Sequence, residues 1–263
     1  MRLRIDAMLD YTLPEPVELL LQLEAAQMPD QLLIEDRLTV TTATPMVPVT
    51  GIQEIGRRTW TGGEGRFVAR YQATVDIVRP AVDLAALTAA PLATIPGRVI
   101  HFLWPSRYVE AEDLKPFALD TFGPPGGAAV MAMAEWTRKH IAYQPGWSDE
   151  ATSARDTFLH RRGICRDFAH VMLGFARALD MPARMVSAYA WNIDPPDFHA
   201  LVEVWLADEA GGGWYLVDPS GLAAPEGVVR IGVGRDATDI SFMTVFGGSA
   251  ELNAQTVAVE RLD

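Results

Sequence analysis

Over the first 80 residues the apolar positions follow a two-residue rhythm. Leu3 to Tyr11 alternates in part, Val17 to Leu23 is an apolar run, and Leu32 to Thr42 closes on the string Leu38-Thr39-Val40-Thr41-Thr42. Ile52 to Trp60 and Arg66 to Val78 continue the pattern, and Thr61-Gly62-Gly63-Glu64-Gly65 between them reads as a hairpin loop. Pro14, Pro16, Pro45 and Pro48 punctuate these runs, as proline does at strand ends and edges. The spacing predicts a small β-sandwich over residues 1–82. From Asp83 to Gly127 the periodicity weakens and prolines accumulate, ending in Gly123-Pro124-Pro125-Gly126-Gly127; residues 83–127 read as a connecting segment.

The rhythm then lengthens to that of a helix. Val130, Met133, Ala134, Thr137 and Ile141 fall on one face. Ser153-Ala154-Arg155-Asp156 resembles a capping-box start for a short helix running to His160. Gly163 breaks the chain, after which Phe168, Ala169, Met172, Phe175, Ala176 and Leu179 trace a second helical face that stops at Asp180-Met181-Pro182. Strands are predicted at Ala183 to Trp191, His199 to Ala207 and Gly213 to Val217, with two more at Arg230 to Gly234 and Gln255 to Glu260. Residues 128–263 thus form an α+β domain in which helices precede an antiparallel sheet.

Composition narrows the function classes. The hydrophobic fraction of 49% suffices for real cores, and a net charge of −12 argues against nucleic acid or an anionic membrane as the main partner. No stretch approaches the roughly 18 apolar residues that span a bilayer, and Met1-Arg2-Leu3-Arg4-Ile5-Asp6 carries an early acid where a signal peptide would be apolar. A cytoplasmic protein is expected, in a compartment that keeps thiols reduced.

One thiol changes the picture further. Cys165 is the single cysteine, so no internal disulfide can form, and it lies at the start of the second predicted helix. Unpaired N–H groups and the helix dipole stabilise an anion there, which favours a thiolate. His199 begins one predicted strand and Asp218 ends the next, with Glu209-Ala210-Gly211-Gly212-Gly213 as the turn between them. An antiparallel hairpin brings those two positions to the same end, where a side-chain bond is easy. Thiol, imidazole and carboxylate are the groups that acyl transfer through a cysteine requires.

The strings Gly163-Ile164-Cys165-Arg166-Asp167-Phe168-Ala169-His170, His199-Ala200-Leu201-Val202-Glu203-Val204-Trp205 and Gly213-Trp214-Tyr215-Leu216-Val217-Asp218-Pro219 resemble the three core motifs of bacterial transglutaminase-like proteins, a family with many presumed cysteine proteases. Met181-Pro182-Ala183-Arg184 and Gly234-Arg235-Asp236-Ala237-Thr238-Asp239-Ile240 are similar to the family as well, and the resemblance covers residues 125–245. It implies a papain-like core, preceded by the family's β domain, with Cys165 as nucleophile, His199 as base and Asp218 as orienting acid. The Cys165 N–H would supply one oxyanion donor. For the second, eukaryotic transglutaminases use an upstream tryptophan and papain-type proteases a glutamine shortly before the cysteine, but the position six residues before Cys165 is Leu159, so the papain pattern fails. Trp147 and Gln144, in Tyr143-Gln144-Pro145-Gly146-Trp147, are candidates by location, and Asp167 is a candidate for tuning the thiol or touching substrate.

Other residues read more plainly. His170 sits three positions after Asp167 on one helix, which points to a local pair or a capped core histidine. Trp191, Trp205 and Trp214 fall in predicted strands, where aromatic packing accounts for them. His101, His140 and His160 lack the companion spacing of a metal site, and the acids are dispersed rather than set as a calcium loop. No metal or cofactor is expected. The functional expectation is a thiol peptidase, amidase or acyltransferase acting on amide bonds of a peptide or protein substrate. The alternative is an idle scaffold of this fold that serves as a protein-binding module. A thioester-dependent acetyltransferase would need a cofactor-binding segment, and none is visible.

Overall fold

A computed structural model describes residues 1–263. The amino-terminal part forms β1 (Arg2–Leu21), β2 (Gln31–Val40), β3 (Val47–Thr50) and β4 (Arg57–Ile77). Next come the two-residue β5 (Thr88–Ala89), the one-turn α1 (Gly97–Ile100) and α2 (Ala111–Thr121). The core runs through α3 (Gly127–His140), β6 (Ala142–Tyr143), α4 (Ala154–His160), β7 (Arg162–Gly163), α5 (Cys165–Ala178), β8 (Ala183–Ala190), β9 (Phe198–Ala207), β10 (Gly213–Val217) and β11 (Val228–Gly234). β12 (Met243–Phe246) and β13 (Glu251–Arg261) follow.

Two of the predicted strand pairs are single long strands. β1 runs unbroken past Pro14 and Pro16, and β4 runs through Gly62-Gly63 where the sequence suggests a hairpin. The two strands are antiparallel partners, and their register slips between Leu13 and Val17, opposite the glycines. The prolines therefore occupy a bulge, and the glycines answer it: a Cβ at Gly62 would lie 2.8 Å from the Val17 carbonyl oxygen. Ile52 to Glu54 is a 3-10 turn rather than strand.

The carboxy-terminal strands also depart from expectation. β12 and β13 do not extend the core sheet; they pair with β1, from Leu21↔Met243 and from Leu3↔Arg261. The 128–263 division is corrected accordingly, because the amino-terminal sheet is completed by residues from the far end of the chain. The residues between 83 and 127 likewise do more than connect. Leu114 and Ala118 of α2 enter the main core, and Gly174 of α5 lets α2 approach, since a Cβ there would lie 2.5 Å from Leu114 Cδ1.

The architecture is α+β and three layers deep. The inner face of the first sheet, including Leu3, Ile5, Phe67, Ala69 and Tyr71, packs on Tyr189, Phe198, Val229 and Ile231 of the second. That second sheet, ordered β10-β9-β8-β11, supplies the opposite layer of the sandwich. Tyr71 and Tyr189 stack across the join at 6.0 Å, and the Tyr189 hydroxyl donates to the Leu23 carbonyl at 2.7 Å. On its other face the second sheet carries α5, with Ala200, Val202, Val204 and Leu206 packed against the helix residues. No helix is long and apolar enough to cross a membrane.

A buried ion network crosses the sheets. Glu203 of β9 accepts from Arg184 Nε (2.7 Å) and Arg230 Nε (2.7 Å), and Arg230 and Arg79 both donate to Asp30 (2.8 and 2.7 Å). Burial favours the neutral acid at Glu203, but the two guanidinium groups outweigh it and hold the carboxyl below its usual range.

Candidate active site

Cys165 is the first residue of α5 and is half-buried. The turn that presents it is specified locally. Asp167 Oδ2 accepts the Ile164 N–H at 2.8 Å, while Oδ1 receives Arg166 Nε and Nη2 at 3.1 and 2.9 Å. Gly163 must be glycine here, because a Cβ would lie 2.6 Å from Asp167 Cβ. Behind the turn, β7 pairs in parallel with β6, fixed by Gln144 N–H to Gly163 O at 2.8 Å. The Asp167 N–H closes the first turn of α5 on the Ile164 carbonyl oxygen at 2.9 Å, which leaves the Cys165 and Arg166 N–H groups without a partner in the helix.

His199 enters from β9 and Asp218 follows the end of β10. Val202 faces Val217 across the hairpin, so Asp218 is opposite residue 201 and reaches His199 along a diagonal. His199 Nε2 and Asp218 Oδ2 are 2.9 Å apart, with the two side chains only 2% and 3% exposed. Asp218 is itself anchored: Oδ1 accepts the Ser220 N–H (2.8 Å) and hydroxyl (2.6 Å), and Oδ2 the Ala223 N–H (2.7 Å). Burial raises the Asp218 pKa, but its bonds to His199, Ser220 and Ala223 and the charge of His199 prevail, so the carboxyl lies below its usual range and stays ionised.

With Nε2 held by Asp218, the free ring nitrogen, Nδ1, is left for the Cys165 thiol, which lies beside the ring. Burial alone would pull the imidazole pKa down. The Asp218 and Cys165 hydrogen bonds and charges overcome it and raise the value to about 10. The ring therefore keeps its proton at neutral pH, and releases it only as the pH climbs toward that value. A protonated imidazole beside a helix start is a setting suited to a cysteine nucleophile.

The remaining sequence candidates lie elsewhere. Asp167 is fully buried and occupied with Ile164 and Arg166, so it shapes the turn and has no face toward substrate. Trp147 packs near His160 (5.5 Å) and under the Arg162 guanidinium (5.2 Å). Gln144 lies just past the end of β6 and is exposed. The residue that sequence reasoning passed over is Tyr143. Its ring packs on Phe168 at 5.8 Å, and its hydroxyl lies beside Cys165. The only sequence signal was its position just before the candidate loop.

His170 takes no part in this chemistry and does not pair with Asp167. Its Nε2 accepts the Ala237 N–H at 3.2 Å and its ring stacks on Tyr108 at 5.2 Å. Burial, opposed by Asp236 and reinforced by Arg166 and Arg177, pushes its pKa down to about 3, so it is a neutral core residue. Asp236, in the arginine-aspartate segment, is buried and accepts the Tyr108 N–H at 3.0 Å. That segment braces the flank of α5 rather than the thiol.

Comparison with known proteins agrees with this fold. Residues 119–219 match the family model of the transglutaminase-like superfamily. The crystal structure of a candidate cysteine protease from Cytophaga hutchinsonii is 30% identical, with a TM-score of 0.91 over 100% of this chain and 91% of that one. An uncharacterised protein from Mycobacterium leprae is 34% identical over 122 residues, 43% of this chain and 42% of its own. Another, from Mycobacterium tuberculosis, is 28% identical over 111 residues, 38% and 35% of the two chains. The match spans less than half the length of these curated relatives. With its helix-borne cysteine, its antiparallel sheet and a structural relative alike from end to end, the chain belongs to the transglutaminase-like superfamily.

Proposed function

We propose that this protein is a thiol enzyme that opens amide bonds in peptide or protein substrates through an acyl-enzyme on Cys165. The observation that carries the reading is the His199 ring. It is bound through Nε2 to a four-bonded carboxylate and turned so that its other nitrogen serves the thiol at a helix start.

The Cys165 sulfur attacks the carbonyl carbon, forming a C–S bond while the carbonyl π pair moves onto oxygen. When that pair returns, the C–N bond breaks and the departing amine takes the proton from the His199 imidazolium. Neutral His199 then accepts a proton from the incoming nucleophile. Its attack on the thioester forms the new bond to carbon and releases the Cys165 thiolate. Asp218 holds the ring in place and stabilises its cationic form without itself becoming protonated. Water is the proposed acceptor, since it needs no binding pocket, and a cytoplasmic setting would keep the single thiol reduced. Full-length similarity to the Cytophaga hutchinsonii candidate protease supports the same class.

Casein incubated with a fluorescent amine separates the two half-reactions. Fragments without label mean hydrolysis, and label in intact casein means transfer to an amine. Either product is expected to vanish in Cys165→Ala. Equal product from that variant would reject the proposal.

A further inference from the structure

An acyl transfer site needs two donors converging where the carbonyl oxygen becomes negative. The Cys165 N–H is one, as the first helical amide of α5. We propose that the Tyr143 hydroxyl is the second, making Tyr143 a catalytic residue of this site. The inference rests on the thiol reading above and extends it to a residue outside the triad.

The placement follows from the backbone. The parallel pairing of β6 with β7 sets Tyr143 beside Gly163, two residues before the nucleophile, and hydrogen bonds on either side lock that register: Ala142 N–H to Arg161 O and Gln144 N–H to Gly163 O, both 2.8 Å. The ring then lies against Phe168, and Phe168 and Cys165 share a face of α5 at a spacing of three. A phenol resting on Phe168 lies on the side of α5 that carries Cys165, and its hydroxyl borders that residue's N–H and sulfur. In the resting site the Cys165 N–H faces the phenol oxygen, and with the tyrosine 46% exposed the edge between the two groups is open to an incoming carbonyl oxygen.

Geometry also removes the rivals. Gln144 lies past the end of β6 with its side chain hydrogen-bonded to nothing, and the Trp147 ring is engaged by Arg162 and His160. Electrostatics supports the donor role. Partial burial, then the neighbouring Cys165 charge, holds the phenol above its usual range, so the hydroxyl keeps its proton at neutral pH. In the acylation step no covalent bond to Tyr143 forms or breaks. Its O–H and the Cys165 N–H hydrogen-bond the new oxyanion and are released when the carbonyl re-forms.

Two reagents isolate this role. 4-Nitrophenyl acetate acylates the thiolate through a tetrahedral oxyanion, and the burst of 4-nitrophenolate reports that step. Iodoacetamide alkylates the same sulfur by direct displacement at carbon, with no oxyanion. Tyr143→Phe keeps the ring on Phe168. It is expected to slow acylation by about 100-fold while leaving the alkylation rate within about twofold of wild type. Acylation at the wild-type rate would overturn the proposal. So would an equal change in both reactions, whether from a disturbed thiol or a misfolded site. A separate control addresses the reading beneath it: His199→Ala acylated as fast as wild type would remove the proposed function itself, whatever Tyr143→Phe does.

Discussion

Turnover of an amide substrate by His199→Ala is expected to fall by about 10³-fold or more, with the folded structure retained. Two losses combine. The thiol forfeits the imidazolium that favours its anion, and the departing amine forfeits its proton donor. An amine leaves poorly without that proton, so an amide substrate should suffer more than an activated ester. Asp218→Asn should be milder in thiol reactivity yet severe in turnover, because the ring would lose its orienting charge while the hydrogen-bonding shape persists. The measurement is kcat for Cys165-dependent casein cleavage, beside circular dichroism to establish folding. A folded His199→Ala protein retaining most of its activity would exclude this histidine as base and acid.

The largest expected effect on stability lies away from the thiol, at Glu203. Glu203→Ala removes the carboxylate that receives Arg184 and Arg230, all three being nearly or wholly buried. Arg230 keeps Asp30, but Arg184 is left with the Gln53 side-chain Oε1 and the face of Trp214, 4.2 Å from its guanidinium carbon. Breaking a buried pair by deleting one partner costs about 3–5 kcal/mol, because the remaining charge has been desolvated without compensation. For a chain of this size that corresponds to a fall in Tm of roughly 6–20 °C. Glu203→Gln, which keeps the volume and part of the hydrogen bonding, should fall less. Thermal unfolding of the three proteins checks this, and a Tm for Glu203→Ala within about 2 °C of wild type would show that the network contributes little. Because β9 also carries His199, loosening this network is expected to lower activity as well as stability.

The placing of Cys165, His199 and Asp218 was legible in the sequence because each sits at a boundary that local chemistry marks. Gly163 breaks the chain before an apolar helical face, which puts Cys165 at a helix start. A glycine-rich turn between two alternating segments puts His199 and Asp218 at one end of a hairpin. What could not be read depended on partners distant in the chain. Gly62-Gly63 looks like a turn until β1, with its proline bulge, lies opposite. β13 exposes most of its side chains, with only Val257 buried, so its pattern carries little sign of the sheet it joins. α2 contains Pro116, which masks a helix that nonetheless buries Leu114 and Ala118. Asp167 looks like chemistry because it is near the nucleophile, and only its bond to the Ile164 N–H reveals a structural task. Tyr143 belongs to a two-residue strand with no periodicity of its own, and it gains meaning only when β7 pairs beside it.

The most direct test of the account is the pH dependence of Cys165 alkylation by iodoacetamide in wild type and His199→Ala. An ordinary thiol ionises near 8.5, so at pH 6.5 only about 1% is thiolate. With His199 held protonated to about pH 10, the wild-type rate is expected to remain high down through pH 6.5. The variant should follow the ordinary thiol curve and react about 10- to 100-fold more slowly there. Superimposable profiles, both rising near pH 8.5, would contradict the thiolate–imidazolium pair and with it the proposed enzyme.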